Sequence, residues 1–287
     1  MEFLVDPKGT WSRWPSENLA AELGYPRADF DLAGYLARNL GYVWLVVLPE
    51  YTLVQFRAGM LSEATVSSLE PFLNNAAKST PVGLVFYSMG WMEEAFFEPK
   101  AIGPRLRELA NLREPKLRDL YIRREHNPAH WSRTQRSSLS QLFSLWRERN
   151  GVFDERAIEF LASSDLNPRT VLMEPHREHG LRVIYSGAGF TAYDSYSLSN
   201  TVGHGIEDQP DKAYGSWARQ FYDSCLQSGG PMVDDVDAII EQPDHDPRRR
   251  RYQRLILRWQ RPDGGIVLSG SSILNPPYLT IPLDCAS

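Results

Sequence analysis

The sequence predicts an α+β protein of two domains: an N-terminal ββαββα domain and a C-terminal antiparallel sheet with helices. Three observations predict it. The chain of 287 residues has room for about two domains at roughly 150 residues each. A polar, Pro-containing stretch, "NPAHWSRTQRSS" at 127–138, interrupts the apolar patterning near the middle. Each side of that stretch carries its own short apolar runs and helical stripes, enough to bury a separate core. The expected division is an N-terminal domain at 1–125, a linker at 126–137 and a C-terminal domain at 138–287.

Residues 1–26, rich in Pro and Trp, read as an extended arm lying on the first domain. "DLAGYLARNL" (31–40) has apolar residues at helical spacing, with Gly41 as its stop. "YVWLVVLP" is a buried strand, and "YTLVQFRAG" a second one with partial alternation. "SEATVSSLEPFLNNAAK" starts with Ser62 as candidate N-cap and runs as a helix, with a kink open at Pro71. "PVGLVFYSMGWMEEAFF" holds two strands around the turn Ser88-Met89-Gly90. "AIGPRLRELANL" and "PKLRDLYIRREH" then read as helices.

The second half begins with the helices "SLSQLFSLWRERNG", ended by Gly151, and "DERAIEFLASS", capped by Asp154 or a neighbour. Strands "TVLMEPH" and "LRVIYSGAGF" come next. Residues 191–209 are irregular, rich in Ser, Tyr and Gly. "DKAYGSWARQFYDSCLQSG" is a helix closed by Gly229-Gly230. Strands "PMVDDVDAII", "RYQRLILRWQRP" and "GIVLSGSSIL" finish the chain, the last two joined through Asp263-Gly264-Gly265.

"YSGAGFTA" contains Gly187-Ala188-Gly189 and Ala192, the relaxed dinucleotide fingerprint. That motif needs a helix to start there and aim its amide dipoles at the pyrophosphate. The next residues, "FTAYDSYSLSNTVGHG", are dense in turn formers and have no apolar stripe. The strands that come later are joined by short turns, which implies antiparallel pairing rather than βαβ units. The glycines are therefore expected to bend a strand where another element crosses close by.

Bulk properties narrow the function further. With 31 Lys and Arg against 36 Asp and Glu, net charge −5, the chain is not expected to bind nucleic acid. The dense basic run "RRRR" (248–251) follows "DHD" (244–246) and reads first as a solvated loop, with contact to phosphate or an acidic partner as the alternative. The acidic "VDDVD" (Asp234, Asp235, Asp237) reads as an edge-strand guard against aggregation. Cys225 and Cys285 form no C-x-x-C pair and read as reduced thiols, Cys225 buried in its helix. There is no secretory signal, and the longest apolar runs are too short to span a bilayer. A soluble cytoplasmic protein without membrane insertion is expected.

Two strands, a loose middle with a long helix, and a three-stranded antiparallel finish are the order of a PAS sensor domain. "LFSLWRERNG" resembles the Trp-bearing leading helix of a PAS-like family of alphaproteobacteria. "LRVIYSGAGFTAYDSYSLSNTVGHGI" resembles that family's second strand and glycine bend. "GGPMVDDVDAII" and "RRYQRLILRWQRPDGGIVLSGSSIL" resemble its last three strands. The resemblance covers about 138–275, and departs from the family in "YDSYSLSNTVGHG". The first domain resembles small α+β domains found beside such modules. The resemblance implies a bacterial signalling protein with a sensory or protein-interaction module and no output domain on the chain. Such modules hold haem, flavin or a small metabolite, or hold nothing; no bound cofactor is the base expectation here.

Aromatic and polar-tipped residues of the second half are candidates for lining a ligand pocket: Tyr185, Tyr193, Tyr196, His204, Trp217, Phe221, Tyr222 and Trp259. His204, between two glycines, reads first as a loop histidine in contact with solvent and only second as an axial ligand for a haem. His176 and His179 lack a third metal ligand at diagnostic spacing, so no metal site is expected. No nucleophile–base signature is readable, and no catalytic residue is assigned. An enzyme using the cleft near Tyr193, His204 and Trp217, or an adaptor whose cleft is filled by its own side chains, are the alternatives. A protein partner or self-association is expected through helices near 115–150, with stripes Leu117, Leu120, Tyr121 and Leu142, Leu145, Trp146.

Overall fold

The structure, a computed structural model, describes residues 1–25, 30–112, 119–177, 180–190, 198–242 and 245–283. The chain divides into two compact units: the first holds residues 1–118 with the end from Leu283, the second Asp119–Pro282.

In the first unit the N-terminal stretch is not an arm. Its apolar residues make two strands, β1 (Glu2–Val5) and β2 (Trp11–Trp14), followed by a short helix α1 (Glu17–Glu22). β1 pairs antiparallel with both β2 and β3 (Val43–Val47), because Leu4 and Val5 have core to enter on either side. Helix α2 (Leu32–Asn39) precedes β3, and β4 (Thr52–Arg57) follows it. Helix α3 (Glu63–Ala76) is capped by Ser62, whose hydroxyl accepts from the Thr65 amide at 3.0 Å, and contains Pro71. It crosses over from β4 to β5 (Val82–Tyr87), which therefore pair in parallel. β6 (Trp91–Phe96) and α4 (Pro99–Ala110) complete the ββαββα pattern. The sheet order is β2-β1-β3-β4-β5-β6. Its alternating Val, Leu and Phe residues pack under α3 and α4 in one core, while Leu4, Leu32 and Leu36 form a second.

The second unit begins with a correction. "YIRREH" is not helical but a strand, β7 (Tyr121–His126), paired antiparallel with β10 (Met232–Gln242). The stretch after it carries a helix, α5 (Pro128–Thr134), capped by Asn127. Helices α6 (Ser138–Glu148) and α7 (Glu155–Ser163) lie where their stripes put them. Leu142 of α6 is buried, and Trp146 donates its indole N–H to the Arg258 carbonyl at 2.8 Å. That stripe is used within its own core. Of the other stripe, Leu120 is exposed, Tyr121 sits in β7, and Leu117 lies outside the described residues.

The expected order then follows: β8 (Thr170–His176), β9 (Gly180–Ser186), the long helix α8 (Lys212–Ser228), then β10, β11 (His245–Gln260) and β12 (Ile266–Leu274). Asp211 caps α8 on the Tyr214 amide at 2.9 Å, and Gly229 ends it at φ 71°, a conformation that favours glycine. The sheet runs β7-β10-β11-β12-β8-β9, antiparallel throughout, with β10 at a five-strand edge that β7 extends. This is an α+β unit built on an antiparallel sheet.

Each face of this sheet has its own cover. Val233, Leu255, Leu257 and Trp259 pack against Trp131, Leu139, Leu142 and Phe143 of α5 and α6. On the reverse, Val171, Met173, Val183, Ile256 and Leu268 pack against Tyr222 and Cys225 of α8.

Candidate functional site

The site follows from the alternation of β11. Arg250, Tyr252 and Arg254 share the face turned to α8; Arg249, Arg251 and Gln253 share the other. The strand alternation thus sorts the arginine run into two sets, and neither is a solvated loop: Arg249 and Arg250 are both buried.

On the α6 face every charge meets a partner on β10. Asp237 accepts from Arg249 Nε at 2.8 Å and Nη2 at 2.6 Å, and lies 3.3 Å from Arg251. Asp235 accepts from Gln253 at 2.9 Å and from the amide and hydroxyl of Thr280 at 2.7 and 2.6 Å. His126 lies 3.0 Å from the same carboxylate. These aspartates are not an edge-strand guard: β7 covers the edge, and Asp234, Asp235 and Asp237 are fully buried.

On the α8 face, Asp234 accepts from Arg123 at 2.6 Å and from Arg254 at 2.8 Å. Arg254 also lies 4.8 Å over the Phe221 ring. Next to it a cavity of about 70 Å³ opens between α8 and the sheet. A single water needs roughly 10–15 Å³. Arg169, Arg250 and Arg254, with Tyr214, Tyr252, Gln209 and Ser272, form its polar lining; Val171, Phe190, Ile206 and Ile240 form the apolar part. The Tyr214 and Tyr252 hydroxyls are hydrogen-bonded at 2.7 Å. Burial raises the pKa of Tyr222 and of Tyr252, so both stay neutral.

Arg169 is placed by the glycine bend. It ends a 3-10 turn, Asn167–Arg169, on which Gly187 and Gly189 lie. The Gly189 amide donates to the Pro168 carbonyl at 2.6 Å, and Arg169 Nη1 donates to the Gly189 carbonyl at 2.5 Å. A Cβ on Gly187 would meet the Asn167 carbonyl and come within 2.5 Å of Pro168. Close approach, not a phosphate, is thus what the glycine pair serves. The Arg169 guanidinium lies 5.3 Å over the Phe190 ring, and its Nε is buried without an acceptor. Burial and the neighbouring Arg250 push its pKa down to about 10.

Of the residues singled out from sequence, Tyr222 lines this cavity, its ring packed against Gly270. Trp217 and Phe221 flank it on α8, in edge contact with each other at 4.9 Å and packed with Tyr214 and Arg254 respectively. Trp259 faces α6, donating to Ser269 at 2.8 Å. Tyr185 is exposed and bonds Asn167. The His204 side chain is exposed in a loop whose backbone pairs with Val183. Tyr193, Tyr196, His179 and Cys285 lie outside the described residues. Sequence reasoning missed the arginines and Tyr252. Their signal was the i, i+2, i+4 spacing of Arg250, Tyr252 and Arg254, which puts all three on one face of a strand.

The lining offers no His, Cys or Met to a haem iron, so these residues do not fit a haem through those ligands. Cys225 is buried, donates to the Gly230 carbonyl, and burial pushes its thiol up to about 12. Among the described residues no group of three or more His, Cys, Asp and Glu is placed to hold a metal ion. No helix among them is long and apolar enough to cross a membrane.

No protein-family model matches the sequence, and no curated protein matches it. Solved structures match in part. An RNA-binding light-oxygen-voltage receptor matches over 42% of this chain and 32% of its own, at 11% identity and TM-score 0.30. A light-oxygen-voltage domain studied with a flavin analogue matches over 43% and 87%, at 16% identity and TM-score 0.31. A fungal LOV domain photoreceptor matches over 40% and 78%, at 18% identity and TM-score 0.28. The chain spans about a third of the length of the RNA-binding receptor. At these scores the functional reading rests on the chain's own side chains.

Proposed function

We propose that the second unit is a PAS-like sensory module that binds a small molecule in the cavity between α8 and the sheet. The surrounding protein is then a bacterial cytoplasmic signalling protein whose output passes through a partner. One observation carries the reading: the space under α8 is bordered by guanidinium and hydroxyl groups rather than closed by apolar side chains. A core built for stability alone closes such a space, because a void costs about 1 kcal/mol per methyl-sized gap, and unanswered polar groups cost more. The expected strand order and the sequence likeness of 138–275 to a PAS-like family support the same reading.

The cavity wall suggests how occupancy is reported. Ile206, Gln209, Tyr214, Ala218 and Tyr222 belong to α8 and the turn before it. A ligand that prefers one seating of α8 shifts its population toward that seating. Phe221, on the same helix, lies 4.5 Å from the Arg123 guanidinium, so the shift reaches β7 at the sheet edge.

A thermal-shift screen of small metabolites tests this, since a ligand that binds only the folded chain raises its melting temperature. Binding is expected in the wild type and lost in both Ala218→Phe and Ser272→Leu, which fill the cavity from opposite walls. Hits that survive both substitutions in cooperatively melting protein would remove the cavity as the site.

A further inference from the structure

We infer that the cavity takes a small organic acid, its carboxylate on Arg169 beside Arg250 and its apolar body against Val171, Phe190 and Ile206. The inference rests on the ligand-binding reading above and adds the ligand's chemical class.

The argument starts from charge. Arg254 has its counter-charge in Asp234 at 2.8 Å. Arg169 has none: its described contacts are the Gly189 carbonyl and the Phe190 ring, and its Nε stays buried without an acceptor. Among the described residues no Asp or Glu lines the cavity, and the acids next in sequence to its lining have partners of their own, Asp208 accepting from the Gly205 amide at 3.0 Å. Asp211 accepts from the Tyr214 and Glu241 amides, each at 2.9 Å, and Glu207 pairs with Arg219. A half-buried guanidinium whose Nε is cut off from water and from any carboxylate is costly, and a second arginine beside it adds repulsion. An incoming carboxylate answers both, and its two oxygens match the planar fork of guanidinium donors.

The rest of the wall sets the remainder of the ligand. A cation meets the unanswered charge of Arg169 and is repelled. A neutral ligand leaves the charge on Arg169 unanswered. Free phosphate satisfies the arginine but leaves Val171, Phe190, Ile206 and Ile240 facing nothing apolar. A compact acid of a few carbons satisfies both parts within about 70 Å³.

Titration calorimetry and thermal shift on the full chain test the inference with monocarboxylates from propionate to benzoate, their neutral amides, and inorganic phosphate. At least one acid is expected to bind the wild type about tenfold or more tightly than its amide. Arg169→Met is expected to lose that preference, and Arg169→Lys to keep part of it. Amides binding as well as acids, or phosphate binding in preference to every acid, would overturn the carboxylate assignment and leave the cavity as a ligand site. Failure of every acid to bind overturns it too. If metabolites then bind and Ala218→Phe removes them, the cavity reading survives; if none bind, both fall. Circular dichroism and a cooperative melt establish that each variant is folded.

Discussion

On the α6 face of the second unit's sheet, Asp237 holds Arg249 through both carboxylate oxygens, and Asp235 is ringed by Gln253, Thr280 and His126. On the α8 face, built from the alternate residues of the same strands, Asp234 serves both Arg123 and Arg254, and Arg169 has a carbonyl and a phenyl ring where a carboxylate would be. Both faces bury charge. Among the described residues, only one supplies the full set of counter-charges. Since removing an ion from water costs several kcal/mol unless it is matched, the matched face reads as architecture. The unmatched one reads as a site whose last partner comes from outside.

The largest break in this comparison is on the matched face. Asp237→Ala removes the bidentate partner of Arg249, whose side chain is 0% exposed. A loss of about 3–5 kcal/mol in the unfolding of the second unit is expected, read by urea denaturation. A loss below about 1 kcal/mol would mean that the pair behaves as a surface bridge. Next comes the glycine bend. Gly187→Ala drives a methyl group against the Asn167 carbonyl and to 2.5 Å from Pro168, backbone that cannot rotate away. About 1–3 kcal/mol is expected to be lost. Because the same turn carries Arg169, carboxylate binding should weaken with it. Unchanged binding in a destabilised variant would separate the bend from the site.

Much of this fold was legible because it is local. Ser62 and Asp154 cap the helices they precede, Gly229 ends α8, and β3, β4 and β5 announce themselves as apolar runs. The bend at Gly187 and Gly189 could be told from a phosphate cradle because no helix-forming pattern comes after it. The features that stayed hidden are made across sequence distance. "YIRREH" has helical charge spacing, and only the presence of β10, with Asp234 ready for Arg123, makes it a strand. "RRRR" looks solvated until Asp237, twelve residues from Arg249, is found paired to it. The cavity was hardest. Aromatic residues drew attention as a cage, but Trp259 faces α6 and Tyr185 faces solvent, while Arg169 has no local signal that it will go without an acid.

The matched face should also carry an acid-dependent part of the stability. Burial works to raise the Asp235 pKa, but the hydrogen bonds from Thr280, Gln253 and His126 outweigh it and hold the carboxyl below its usual 3.8. A carboxylate depressed in the folded state contributes stability above its unfolded pKa and loses it as pH falls through the folded value. Asp235→Asn is therefore expected to cost about 1–2 kcal/mol at neutral pH. The gap to the wild type should close as pH drops below 3.8. Denaturation curves at pH 7 and at low pH read it; a gap constant with pH would mean that the contribution is packing rather than charge.

The smallest effect has the opposite sign, and it separates the two faces most sharply. Arg169→Met deletes a charge that the folded chain holds at a pKa of about 10, well below that of the free side chain. A base whose folded pKa is lowered binds its proton less well than the unfolded chain does. The penalty is therefore present at every pH below about 10 and is relieved only above it. At 1.36 kcal/mol per unit this is roughly 3 kcal/mol before solvent screening. Losing the Gly189 bond and the Phe190 contact gives back about 1–2 kcal/mol. A net gain of about 1 kcal/mol remains, or a melting temperature higher by about 2–4 °C. The same removal of an arginine from the Asp237 pair can only destabilise. With saturating carboxylate the order must invert, because the ligand stabilises the wild type and has lost its Arg169 partner in the variant. A variant less stable than the wild type in ligand-free buffer would mean that Arg169 is answered from within the chain, and the contrast between the faces would dissolve.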